Sequence, residues 1–218
     1  TACGIEPIAI AALDPEDPEH YGFGADRVYR KYTFYYDCRG TPMPGPLVQD
    51  ATPVAYVLRH NNPETEMLAD ETQVYRIGAR GLLGSADPGL SCLTIGATPG
   101  IWASAVPGLC TQTAPRAVRV FLCGLAARFP GRVPDACADV PEIESLAAAN
   151  DPDTDGEDWP EYPAYAGNGR RVITVAVMHP QDMTVLGFRQ FLLEPVSPDL
   201  PINPADRYGR FAALYIGY

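Results

Sequence analysis

The chain has 218 residues and a formal net charge of −11, from 16 basic and 27 acidic residues. A chain this acidic repels phosphate backbones and anionic lipid surfaces, which argues against nucleic acid and anionic membranes as partners. Hydrophobic residues make up 46% and charged residues 20%, a composition that excludes disorder throughout. The 23 prolines and 20 glycines predict short elements joined by rigid connections.

Short strands are predicted for the N-terminal part of the chain. β-Branched and aromatic residues between turn residues favour four strands, at residues 5–13, 28–36, 54–59 and 73–79. Residues 80–116 are rich in Gly, Pro, Ser and Thr, so we expect a long ordered loop pinned by Cys92 and Cys110. The aromatic run 29–36 is either core with one solvated edge, which we favour, or a binding platform.

Two helices are predicted next. Apolar residues recur at three- and four-residue spacing over residues 116–129, and Pro130-Gly131 follows as a stop signal. Residues 141–150 predict a shorter helix with its proline in the first turn. An acidic connection at 151–169 follows, with a basic pair, Arg170 and Arg171, at its end. That pair is interpreted as an intramolecular partner for the acidic segment, a docking point or a solvated strand start.

Three strands are predicted at the C-terminus, at residues 170–178, 185–196 and 211–217. Both faces of the first are largely apolar, which is typical of a central strand. We therefore expect one exported domain over residues 1–218, with a mixed part to about 150, the acidic connection, and a β-rich part from 170. The predicted fold is β-rich α+β: a short, twisted, mainly antiparallel sheet with one or two helices and disulfide-pinned loops.

The cysteines predict covalent crosslinks. Their number is even, their gaps are wide, and no Cys-x-x-Cys spacing is present, so three disulfides are favoured over buried thiols or a zinc site. The pairing is left open among the six residues, which are Cys3, Cys38, Cys92, Cys110, Cys123 and Cys137. Disulfides indicate an oxidising compartment, so we expect a periplasmic, cell-surface or extracellular protein. The sequence starts at Thr1 and contains no signal peptide, so export would require a targeting segment that has been removed, either a cleaved signal or a membrane anchor.

A candidate calcium site lies in the acidic connection. Asp151, Asp153 and Asp155 alternate and precede Gly156, as in the first half of a calcium loop. The twelfth position is Tyr162, whereas an EF-hand has a bidentate Glu there. The alternative interpretation, a solvated acidic loop without metal, is favoured. No other cofactor is predicted.

Signatures of catalysis are weak. No nucleophile elbow, P-loop or dinucleotide fingerprint occurs, so we expect no enzyme. A hydrolase would need His60 or His179 to meet a serine and an aspartate in space.

The two ends of the chain resemble a known family. The residues concerned are Gly-Asn-Gly-Arg-Arg-Val-Ile-Thr-Val-Ala-Val-Met at 167–178, Val-Leu-Gly-Phe-Arg-Gln-Phe-Leu-Leu-Glu-Pro at 185–195, Leu-Tyr-Ile-Gly at 214–217, and Cys-Gly-Ile-Glu-Pro-Ile-Ala-Ile at 3–10. Together they are similar to TadG-like proteins of the bacterial tight-adherence (Flp) pilus-assembly machinery.

The resemblance implies a minor-pilin-like subunit that acts by assembly and adhesion. Its partners would be other protein subunits of a pilus or membrane-associated complex. Candidate contacts are the acidic loop 151–161, the loop 80–116 and the aromatic run 29–36. The alternatives are a calcium-dependent extracellular binding module and an accessory subunit of another membrane complex.

Overall fold

The computed structural model describes residues 2, 4–37, 44–59, 92–97, 102–103, 115–131, 133–140, 152–154 and 165–217. Within these ranges the backbone forms seven strands, one α-helix and two short 3₁₀ helices. The strands are β1 Ile8–Ala11, β2 Lys31–Tyr36, β3 Thr52–Arg59, β4 Trp102–Ala103, β5 Val172–Met178, β6 Val185–Glu194 and β7 Phe211–Gly217. The α-helix, α1, is Arg116–Ala126, and the 3₁₀ helices are Ala25–Arg27 and Asp135–Cys137.

Six of the strands close into a barrel, in the order β1-β5-β6-β7-β2-β3, and β3 returns to pair with β1. The β1–β5 and β2–β3 pairs are parallel, and the other four are antiparallel. β4 adds a short antiparallel pair to the far end of β3. The predicted short, twisted sheet is therefore wrong, because the strands form a closed barrel, although the chain is β-rich as expected. Closure leaves the six-stranded sheet without an open edge, which satisfies backbone groups that an edge strand would expose.

Most described strands lie where the sequence predicts them. The predicted strand at 211–217 matches β7, and the other predicted strands begin or end within a few residues of β1, β2, β3, β5 and β6. β5 lies between β1 and β6 with six of its seven residues buried, so the central position predicted for it is confirmed. The predicted strand at 73–79 and the predicted helix at 141–150 lie outside the described residues.

Alternate residues of all six barrel strands pack into one interior core. Aromatic rings dominate it. Phe34 stacks on Phe211 with ring centroids 4.6 Å apart, and Phe191 meets Phe34 edge-on at 5.0 Å. A smaller cluster includes residues of the opposite faces of β1, β3 and β5, with Ile5 and Leu93 packed against them. This second cluster explains why both faces of β5 are apolar.

The helix α1 packs against the barrel core. Val118, Phe121, Leu122 and Leu125 are fully buried, and Phe121 contacts the rings of Tyr56 and Phe211. The predicted helix at 116–129 is thus found, but it ends three residues early, at Ala126. After Ala126 the chain continues in a tighter turn, in which hydrogen bonds span three residues instead of four. The Arg128 N–H donates to the Leu125 carbonyl and the Phe129 N–H to the Ala126 carbonyl.

Gly209, which lies two residues before β7, permits a close contact between this segment and α1. Its φ is +61°, and a Cβ there would lie 2.5 Å from Val118 Cγ1. The Tyr56 hydroxyl donates to the Gly209 carbonyl at 2.6 Å. Within the described part of the chain, no helix is both long and apolar enough to cross a membrane.

Candidate functional site

Buried charged side chains cluster where α1 ends and β5 begins. A protein interior normally excludes unpaired charge, because an ion that leaves water without a partner is strongly destabilising. Here several ions are present, each at most 3% exposed: Glu6, Arg128, Asp153, Arg170, Arg171 and Glu194.

The Arg128–Glu6 pair is the deepest part of this cluster. Both side chains have no exposed surface, and Arg128 Nη2 donates to Glu6 Oε1. Arg128 Nη1 also donates to the carbonyls of Arg170 and Val172, each at 3.3 Å. The Glu6 N–H donates to the Thr174 carbonyl at 2.8 Å. The pair therefore joins the segment after α1 to the N-terminal segment and to β5.

Burial raises the pKa of Glu6 to about 7, and the charge and hydrogen bond of Arg128 only partly oppose this effect. The direction follows from the complete loss of solvent around the carboxyl group. Glu6 therefore changes its protonation state near neutral pH.

Arg171 links a second set of groups. Its Nη1 donates to the Leu193 carbonyl at 3.0 Å, and its guanidinium lies 3.8 Å from Glu194 and 4.0 Å from Asp153. The same guanidinium lies 5.5 Å from the ring centroid of Phe129 and 5.3 Å from that of Tyr165. The Phe129 ring therefore packs against a guanidinium whose charge is balanced by Asp153 and Glu194.

A cleft of about 380 Å³ lies beside Phe129. One wall is built from residues between 126 and 136, and the other from residues 199–204. The lining is mostly apolar, including Phe129, Leu200 and Ile202, and two carboxylates, Asp135 and Asp199, also line it. The volume falls in the usual range for clefts that bind ligands or partner side chains.

The first cleft wall is covalently closed. The Cys123–Cys137 disulfide brackets every cleft residue from Ala126 to Ala136. Arg119 reinforces this loop, because its Nη1 donates to the Ala136 carbonyl and to Asp139 at 2.6 Å each. Hydrogen bonds from Arg119, and then from Arg116, hold the pKa of Asp139 well below its usual range.

The second cleft wall is held by local hydrogen bonds. Ser197 Oγ accepts from the Leu200 N–H at 3.1 Å, and Asn203 Oδ1 accepts from the Ala205 N–H at 3.0 Å. Prolines at 130, 134, 201 and 204 also line the cleft. Since each proline fixes one backbone angle, the walls have few alternative conformations.

The three aspartates of the calcium hypothesis are only partly described. Asp153 is 2% exposed, and its Oδ2 accepts hydrogen bonds from the Tyr165 hydroxyl and from the Arg171 N–H. This confirms an intramolecular pairing between the acidic connection and the basic pair. Asp151 and Asp155 lie outside the described residues. Over the described ranges, no group of three His, Cys, Asp or Glu side chains could hold a metal.

Calcium binding at Asp151, Asp153 and Asp155 therefore stays a prediction. Thermal melting with calcium and with a chelator tests it, because an ion that binds only the native state raises the midpoint of thermal unfolding.

The six cysteines are likewise partly described. Cys123 is bonded to Cys137, and Cys92 is also disulfide-bonded. Cys3, Cys38 and Cys110 lie outside the described residues, so three disulfides remain a prediction.

The aromatic run 29–36 is mostly part of the core. Tyr32, Phe34 and Tyr36 are buried in the barrel, which confirms the core interpretation, whereas Tyr29 is 52% exposed.

The candidate loops and histidines are only partly described. Most of the loops 80–116 and 151–161, and His60, lie outside the described residues. The described part of loop 80–116 includes β4 and an antiparallel bridge from Leu93 to Ala2. His179 lies 3.5 Å from Asp182 in the turn between β5 and β6.

Glu6, Arg128 and the cleft are functional features that the sequence patterns did not predict. Glu6 did carry a signal, because it interrupts an otherwise apolar stretch from Ile5 to Ile10. Arg128 was placed inside the predicted helix, where a cation normally faces solvent. The cleft combines two segments about 65 residues apart, which no local pattern joins.

Comparisons of the chain with protein-family profiles, with curated proteins and with solved structures find no match.

Proposed function

We propose that this chain is a structural or adhesive component of an extracytoplasmic bacterial assembly, of the Tad pilus type, and that it acts through protein–protein contacts. In this role it carries out no chemistry, and the cleft beside Phe129 is its contact site for another subunit. The proposed location is the periplasm or the cell surface.

The cleft is the observation that carries this proposal. Apolar side chains open to solvent are favourable contact sites, because covering them removes apolar surface from water. Leu200 is 37% exposed at this cleft. A partner side chain that enters the cleft would cover Leu200 and the other apolar side chains of the lining.

The fixed walls also support a binding role. A disulfide, four prolines and the Arg119 hydrogen bonds limit the motion of the cleft before any partner arrives. Binding to a preformed site loses less conformational entropy than binding to a flexible one. A rigid cleft can therefore hold a subunit with a small contact area.

The assignment to the Tad machinery within this proposal rests on the residue pattern at 3–10, 167–178, 185–195 and 214–217. The Cys123–Cys137 disulfide agrees with an oxidising compartment. A net charge of −11 favours a subunit with a basic contact surface.

Purification of the tagged protein from detergent-solubilised envelopes of its native organism tests the proposal. We expect subunits of the Tad machinery to copurify with the wild type in defined stoichiometry. Leu200→Glu is expected to remove them, because it places a charge in the apolar cleft. Leu13→Glu is the matched control, since Leu13 is 38% exposed, close to the exposure of Leu200, and is not part of the cleft.

Two results would count against the proposal. A monomeric wild-type protein without any machinery subunit would exclude the assembly role. Equal copurification with Leu200→Glu and Leu13→Glu would exclude the cleft as the contact site.

A further inference from the structure

We infer that the cleft beside Phe129 recognises an exposed partner segment in which an apolar side chain is followed directly by Lys or Arg. This inference rests on the proposed function and names the chemistry of the partner. It depends on three features of the cleft: its apolar base, its carboxylates and its position at the end of α1.

The apolar part of the cleft selects the first side chain. Phe129 and Ile202 are 5% and 1% exposed, so they lie at the base, whereas Leu200 is 37% exposed and lies nearer the opening. The cleft volume of about 380 Å³ exceeds that of one aliphatic side chain. A leucine-sized group can therefore enter and leave room for part of the next residue.

Two carboxylates select the second side chain. Asp135 and Asp199 line opposite walls of the cleft and both are exposed. Exposed carboxylates are negative at neutral pH. Of the described residues that line the cleft, two are acidic and none is basic.

The helix α1 adds a third negative contribution. It has 11 residues, ends at Ala126 in the cleft wall, and has no basic residue in its last turn. The C-terminal end of a helix carries partial negative charge and favours cations.

The described cations next to the cleft are each paired with a carboxylate. Arg119, which donates to the Ala136 carbonyl of the first wall, is paired with Asp139. Arg171 lies behind Phe129 and is balanced by Asp153 and Glu194. Arg128 is fully buried against Glu6. Because these cations are paired with carboxylates, Asp135 and Asp199 dominate the electrostatic potential at the opening of the cleft.

Synthetic peptides measure this preference directly. The probes are acetylated and amidated hexapeptides of sequence GSLRSG, GSLESG and GSSRSG, titrated into the full chain and followed by amide chemical shifts. We expect GSLRSG to shift the amides of Leu200 and Asn203 and to bind at least fivefold more tightly than GSLESG or GSSRSG. The first comparison isolates the cation and the second isolates the apolar side chain.

Matched variants locate the effect. Asp135→Asn combined with Asp199→Asn keeps the size of both side chains and is expected to reduce the preference for GSLRSG over GSLESG to below about twofold. Asp14→Asn combined with Asp50→Asn, at exposed sites that do not line the cleft, is expected to leave it unchanged. Should a cleft variant fail to fold, the peptide comparison on the wild type still decides the question.

Equal binding of GSLRSG and GSLESG would overturn the inference, as would the lack of any shift in the cleft amides at millimolar peptide. The experiments distinguish a failure of this inference from a failure of the proposed function. If Leu200→Glu abolishes copurification while the peptides show no preference for the cation, the contact role stands and only the partner chemistry is wrong. If the peptides show the preference but no subunit copurifies, the assembly role is wrong.

Discussion

Arg128 and Glu6 illustrate how single residues specify this fold. A fully buried ion pair adds little net stability, because the loss of hydration offsets most of the attraction. The removal of one partner is nevertheless costly, since the other charge stays buried. Arg128 also donates to two backbone carbonyls at the start of β5. The pair therefore fixes where the chain turns after α1.

Replacement of Arg128 by methionine is expected to lower the free energy of unfolding at pH 7.5 by about 2–4 kcal/mol, because the carbonyls of Arg170 and Val172 lose a buried donor and Glu6 must be buried as the neutral acid. Urea denaturation measures the change. Arg116→Met is the control, because Arg116 is exposed and its surface ion pair with Asp139 is screened by solvent and is expected to contribute little stability. A loss at Arg128 no larger than at Arg116 would contradict the assigned role.

Glu6 predicts a specific pH dependence of stability. Its pKa is about 7 in the folded protein against 4.5 as the reference, so between these values the folded state holds a proton that the unfolded state has released. The stability that Glu6 contributes therefore falls as pH rises from 4.5 to 7, by about 3 kcal/mol, and is constant above that range.

The variant Glu6→Gln removes this titration. The free energy of unfolding of the wild type, minus that of Glu6→Gln, is expected to decrease between pH 4.5 and pH 7.5 in urea denaturation. Glu16→Gln, at an exposed site, provides the control and is expected to show no comparable decrease. A difference between wild type and Glu6→Gln that does not change with pH would rule out the raised pKa.

At the scale of elements, α1 and the loop after it form one unit. The helix begins after Pro115 and buries one face on the barrel core, and the loop returns to the helix through the Cys123–Cys137 disulfide. One wall of the cleft lies wholly inside this loop. Stability and binding are therefore expected to depend on the same crosslink.

Replacement of Cys123 and Cys137 together by alanine is expected to destabilise the protein by about 3 kcal/mol, since the disulfide spans 14 residues and restricts the unfolded chain. It should also weaken binding of the GSLRSG peptide, because the cleft wall loses its closure. Urea denaturation and the peptide titration measure the two effects. A stability loss below about 1 kcal/mol together with unchanged peptide binding would show that the bridge does not shape the cleft.

For the whole molecule, sequence patterns located six of the seven described strands but not their arrangement; β4 lies in the predicted loop 80–116. The β-branched and aromatic residues of β2 and β3 and the apolar run of β5 are local signals. Closure depends on pairs between distant segments, such as Ala9 with Ala176 and Ala9 with Val57. Local patterns contain no information on such pairing.

The candidate site was predictable only in part. The Arg170-Arg171 pair suggested an intramolecular partner, and Asp153 provides it. Arg128 escaped prediction because its burial depends on α1 ending at Ala126, where the Arg128 side chain can turn towards Glu6. The cleft escaped because its two walls meet only after the barrel has formed.

The cysteines predict a chain with no free thiol in its native, oxidised form. Thiol titration of protein unfolded in guanidinium without reductant is expected to detect none of the six cysteines, and all six after reduction. Two or more reactive thiols before reduction would show that fewer than three disulfides form.

If the chain acts by holding a partner segment in the cleft, a photo-crosslinking amino acid at position 200 should capture that partner in intact cell envelopes. We predict one crosslinked subunit of the Tad machinery, joined at an apolar residue next to Lys or Arg by mass spectrometry. The same amino acid at position 13, an equally exposed leucine outside the cleft, should capture none. Equal crosslinking from both positions, or no intermolecular product from position 200, would contradict this account.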